Sequence, residues 1–85
     1  MKREDIILGV KQVIANNSRY TVDEIRLTDS LDRFISSTMK DRLAGEIKRM
    51  FRRVRTTALT NLLYDVIKKV SPLVDHIDNI YNPPA

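Results

Sequence analysis

Three serines stand where a hydroxyl could do chemistry. Ser36 and Ser37 are adjacent in "LDRFISSTMKDRLAGEIKRMF", at the start of a helical pattern, and Ser30 lies earlier in the tripeptide "DSL". A serine ahead of a helix ordinarily caps it, a contribution of about 1 kcal/mol. An exposed hydroxyl at the same place can instead be a point of attachment. Around and behind these serines the chain turns basic. Residues 33–55 hold eight Lys or Arg against Asp41 and Glu46, a net of plus six, whereas residues 1–32 and 56–85 each come to minus one. Clustered cations of this kind neutralise phosphates or meet acidic protein surfaces.

The remaining composition narrows the chemistry. The 85 residues are enough for one domain, near the lower end of what folds without staples. There is no cysteine, so no disulfide framework and no thiolate metal site. His76 is the sole histidine, which leaves no usual zinc set and no partner to make it catalytic. A core and a shaped pocket compete for the same few side chains at this length, so a non-enzyme is expected. "MKREDIILGV" has too few apolar residues after its charges for a signal peptide, and no run is long enough to span a membrane. The expectation is a soluble, cytoplasmic, monomeric protein.

The elements that must position the serines are helices. Two glycines and three prolines leave little punctuation for hairpins, and no segment alternates apolar with polar. The first helix is expected over about residues 4–18, with Ile6, Ile7, Val10, Val13 and Ile14 on one face and Glu4 and Asp5 in the first turn. A long loop follows to Ser36, anchored by Tyr20, Val22, Ile25, Leu27, Leu31 and Phe34, with Thr21 and Glu24 spaced as a capping box. The second helix is expected over about 37–54, its stripe being Met39, Leu43, Ile47, Met50, Phe51 and Val54, with Ala44 and Gly45 permitting close approach. On that helix Arg42, Arg49 and Arg53 share one flank, while Lys48 and Arg52 point away from the core. The third is expected over about 57–70, capped by Thr57, with Leu59, Leu62, Leu63, Val66, Ile67 and Val70 inward. Ser71 then caps a short last helix with Pro72 at its first position.

This order resembles an acyl carrier protein. "VKQVIANNSRYTVDEI" (10–25) looks like that family's first helix and loop, "LDRF" like its F-x-E-D-L-G segment, and "TALTNLLYDVI" (57–67) like its final helix. Phe51 lies fourteen residues after Ser37, where family members commonly carry a phenylalanine. The resemblance covers about residues 3–70. The chain departs from it plainly: one or two residues are missing between Leu31 and Ser37, the loop glycine is absent, and three further features differ. The family's D-S-L is replaced by Ser36-Ser37-Thr38, its short third helix has no counterpart but "RRVRT", and its acidic second helix is basic here. What the resemblance implies is an all-α, acyl-carrier-like bundle with three main helices, a long loop between the first two, and an extra short C-terminal helix. Residues 1–70 would be the carrier-like domain and 71–85 an extension and tail.

The resemblance further implies a 4′-phosphopantetheine arm, joined covalently to a serine at the start of the second helix. Attachment at Ser30 would place Ser36, Ser37 and Lys40 at positions that should be buried. Attachment at Ser37 buries Leu43, Ala44, Ile47 and Phe51, with Asp41 the one polar residue at an apolar position. Ser37 is therefore the implied site, and Ser30 a turn residue. The phosphodiester would sit at a helix N-terminus, where free amides and the dipole stabilise anions. The implied function is to carry an acyl or similar group as a thioester, in fatty acid or lipid biosynthesis, with a phosphopantetheinyl transferase as partner. Other implied partners are acyl-activating or acyl-transfer enzymes with acidic docking surfaces, met by Arg42, Lys48, Arg49, Arg52 and Arg53. The alternative is an unmodified helical module that uses the same basic residues to hold an acidic protein or nucleic acid.

Overall fold

Ile6, Val10, Val13 and Ile14 recur at three- and four-residue intervals and are all buried, which makes the first segment an amphipathic helix. The computed structural model describes residues 1–84. It contains four α-helices: α1 (Arg3–Asn16), α2 (Lys40–Met50), α3 (Thr56–Asp65) and α4 (Val70–Tyr81). The loop between α1 and α2 carries three single 3-10 turns, Val22–Glu24, Leu31–Arg33 and Ser37–Met39. No strand occurs among the described residues, and the all-α expectation holds. α1 packs on α4, α3 on α2, and α1 on α2, enclosing one core.

α1 ends where Asn17 folds back. Its Nδ2 donates to the Val13 carbonyl at 2.8 Å and its amide to Ile14 O at 3.1 Å, occupying carbonyls that the helix leaves open. The loop beyond is held down by Ile25, Leu31, Phe34 and Ile35, all buried, with Tyr20 and Leu27 packed partly against the core. The Thr21–Glu24 pairing forms as the spacing predicts. The Glu24 carboxylate accepts from the Thr21 amide at 3.0 Å and from its hydroxyl at 3.1 Å, which holds its pKa below the ordinary carboxylate value.

Helix ends differ most from the sequence reading. The second helix stops at Met50, four residues early. Phe51 takes φ −115° and ψ 87°, and the Val54 amide closes a turn onto Phe51 O at 3.0 Å. This turn sends both Phe51 and Val54 into the core while Arg52 and Arg53 are left outside. Gly45 is not a point of close approach, since a Cβ there would meet nothing within 4 Å. Gly9 is: a Cβ there would lie 2.6 Å from Phe51 Cζ. α3 begins at Thr56 with Arg55 before it, so Thr57 is not its cap. It ends at Asp65, where the amides of Val66 and Ile67 both bond Leu62 O. That early stop turns Val66 outward, 67% exposed, while Ile67 stays buried.

The last helix is neither short nor an appendage. α4 has 12 residues and buries Val70, Leu73, Val74 and Ile77 completely in the core shared with α1. A division at residue 70 therefore cuts a single core. A truncation such as Leu73→Ala would cost about 2–5 kcal/mol. Ser71 does not cap α4, because the helix starts at Val70 and Ser71 lies inside its first turn. Its orphan amides are instead taken by the long loop: Val70 N–H donates to Asp29 O at 3.0 Å and Ser71 N–H to Leu27 O at 2.9 Å. Leu31 N–H returns the exchange to Lys68 O at 2.8 Å. Pro72 sits in that first turn, where its missing N–H is harmless.

Candidate attachment site and basic surface

Ser37 opens the 3-10 turn that runs directly into α2, and it is exposed. Its main-chain carbonyl accepts from the Lys40 amide and from the Tyr64 hydroxyl, the latter at 3.3 Å. Its own hydroxyl bonds no other described residue. Ser36 precedes the turn, yet its hydroxyl is shared with Thr38 Oγ1 at 3.0 Å instead of capping a backbone amide. Neither serine therefore acts as the side-chain cap that serine statistics favour. Ser30 does. Its Oγ accepts from the Asp32 amide at 3.3 Å and donates to Lys68 O at 3.4 Å, fixing the Leu31–Arg33 turn. Behind Ser37, Leu43, Ala44 and Ile47 are buried, whereas Asp41 is exposed and so raises no conflict at an apolar position.

Tyr64 and Lys40, to which the sequence pattern gives no functional role, flank the turn. Lys40 Nζ lies 5.3 Å from the centre of the Tyr64 ring. Partial burial, followed by the Asp41 charge, pushes the phenol above its ordinary pKa of 10.0, so it remains a donor at neutral pH. No spacing rule links residue 64 to residue 37, because the contact depends on how α3 packs on α2.

The five basic residues divide between two elements. Arg42, Lys48 and Arg49 are on α2, but Arg52 and Arg53 are on the turn after it and do not extend the helical flank. Arg42 is paired with Glu46 at 3.2 Å. Lys48, Arg49, Arg52 and Arg53 have no carboxylate partner among the described residues, nor does Arg55 beside them. Lys48 Nζ instead donates to the Arg52 carbonyl, and the Arg53 guanidinium lies 5.5 Å over the Tyr81 ring. The Arg53 amide also donates to Tyr81 Oη at 3.2 Å, which pins the turn against α4. Among the described residues no group of three His, Cys, Asp or Glu could hold a metal. His76 is half-buried on α4, and burial lowers its imidazole pKa.

A groove of about 580 Å³ opens between the end of α1 and the start of α2, with Ser36 on its edge. Exposed Arg19, Arg33 and Arg42 line it together with Tyr20, Phe34 and Met39. The Tyr20 and Phe34 rings meet edge to face at 4.9 Å, and the Arg33 guanidinium lies 5.4 Å and 5.7 Å from their centres.

Compared with family models, curated proteins and solved structures, the chain matches none. No described helix is long and apolar enough to cross a membrane.

Proposed function

We propose that this chain is a carrier protein that holds an acyl or similar group as a thioester on a 4′-phosphopantetheine arm at Ser37. The observation that carries the reading is the free hydroxyl of Ser37, exposed on the turn ahead of a helix whose inner face is locked into the core. A transferase can reach such a group without unfolding anything. Loading would form a bond from Ser37 Oγ to phosphorus, break the pyrophosphate bond of coenzyme A, and release the hydroxyl proton and the nucleotide half. The thiol of the bound arm supplies the thioester chemistry. The chain's own part is to keep the serine accessible and the supporting helix rigid, and its partners would meet the basic α2 surface with acidic ones.

Intact-mass measurement after incubation with coenzyme A and a phosphopantetheinyl transferase tests this. The mass of the arm should be gained by the unaltered chain and by Ser36→Ala, and lost in Ser37→Ala. No gain with several transferases, or a gain that persists in Ser37→Ala, would end the reading. A second reading is supported by the unpaired cations Lys48, Arg49, Arg52 and Arg53: an unmodified module for an acidic protein or nucleic acid. In that case DNA retention should fall steeply with salt, as phosphate contacts require.

A further inference from the structure

The groove beside Ser36 is chemically one-sided. Three guanidinium groups line it and no carboxylate does, although the chain has 11 acidic residues. Arg19 has no ion-pair partner among the described residues. Arg42 is engaged only through its Nε with Glu46, a neighbour one helical turn away. Arg33 gives one nitrogen to Asp29 at 3.3 Å, interacts with the Tyr20 hydroxyl and rests beside two aromatic rings, so its plane is held while part of its fan of N–H donors is left for a ligand. Buried Phe34 and half-buried Tyr20 and Met39 add an apolar lining. Guanidinium groups bind phosphate through paired N–H donors, and a bare ion would leave that apolar lining unused.

We propose that this groove binds a phosphate ester with a partly apolar body, the phosphate meeting Arg19, Arg33 and Arg42 and the apolar groups of the body lying on Phe34, Tyr20 and Met39. The identity of the ester rests on the carrier reading: the arm on Ser37 is a phosphate ester whose gem-dimethyl and methylene groups, set between two amides, supply the apolar contact, and it is attached one residue from Ser36 in the groove's lining. In the loaded protein the arm would fold back toward the end of α1, and its phosphodiester charge would be met by the chain's own arginines.

The test uses free pantetheine 4′-phosphate as the probe and the full chain carrying Ser37→Ala, so no covalent loading occurs. Backbone amide shifts followed by NMR should move at residues 16–20, 33–36 and 39–42. Inorganic phosphate and unphosphorylated pantetheine should each bind about tenfold more weakly than the ester, because each lacks one half of the contact. Arg19→Gln with Arg42→Gln, both at exposed positions, should weaken the ester about tenfold and leave the melting temperature unchanged. Shifts elsewhere, equal binding of inorganic phosphate, or no loss in the double variant would overturn the proposal. The mass gain at Ser37 is read on the unaltered chain and stands or falls separately.

Discussion

The Tyr64 hydroxyl donates to the main-chain carbonyl of Ser37 at 3.3 Å, so α3 holds the turn that presents the candidate serine. Tyr64→Phe keeps the ring beside Lys40 and removes this bond together with the hydroxyl's interaction with Asp41. The variant should fold with an unchanged melting temperature, while amides of the Ser37–Met39 turn exchange faster and transferase loading slows. Exchange at those amides identical to the parent chain would show that α3 does not hold the turn.

The two glycines should respond oppositely to alanine. At Gly9 the added methyl would meet Phe51 Cζ at 2.6 Å and Met50 Sδ at 2.7 Å. The Met50 side chain can move away, but the Phe51 ring is fixed in the core. Overpacking of this sort costs about 1–3 kcal/mol, against a helix-propensity gain of about 1 kcal/mol. Gly45 has open space around it, so Gly45→Ala should stabilise by about 0.5–1 kcal/mol. Chemical denaturation of both variants separates the two cases, and stabilisation by Gly9→Ala would contradict the packing described.

His76 sets an expected pH dependence. Burial lowers its imidazole below the ordinary value of 6.5 in the folded chain, so between the two values the unfolded state binds more protons. Stability then rises with pH. The contribution is fully present above 6.5 and is lost as pH falls through the lower, folded-state value. Melting temperatures taken between about pH 8 and pH 5.5 should fall more steeply for the parent chain than for His76→Gln. Parallel slopes would remove His76 as the cause.

The unpaired cations predict partner choice. Enzymes that receive acidic carriers should load this chain slowly, because like-charged surfaces repel. Arg49→Glu with Arg52→Glu changes exposed side chains that hold no ion pair among the described residues, so the fold should persist. Loading by such enzymes should then rise by about tenfold at low salt and lose that gain at high salt. Equal rates before and after the change would count against charge as the selector.

Local rules were legible for the apolar stripes and for one turn, though not for the caps assigned to Thr57 and Ser71. The apolar repeat of Ile6, Val10, Val13 and Ile14 fixed α1 and its buried face, and the Thr21–Glu24 spacing fixed a turn inside the loop. Leu43, Ala44 and Ile47 fixed the inner face of α2, which left Ser37 at its entrance. Ile35 is buried but carries no sequence signal, because a loop has no period by which to find an anchor.

What the residues alone determined is therefore the helical class, the anchored loop, the exposed serine turn and the basic segment behind it. Only tertiary packing decided where α2 and α3 stop, that α4 belongs to the core, and which glycine touches a neighbour. Helix ends carry unsatisfied amides and carbonyls whose partners can lie anywhere in the chain. At α4 those partners are the carbonyls of Leu27 and Asp29, and beside Ser37 the tie comes from Tyr64. Distances along the chain carry no information about such pairings, and packing supplies them only once the core has closed.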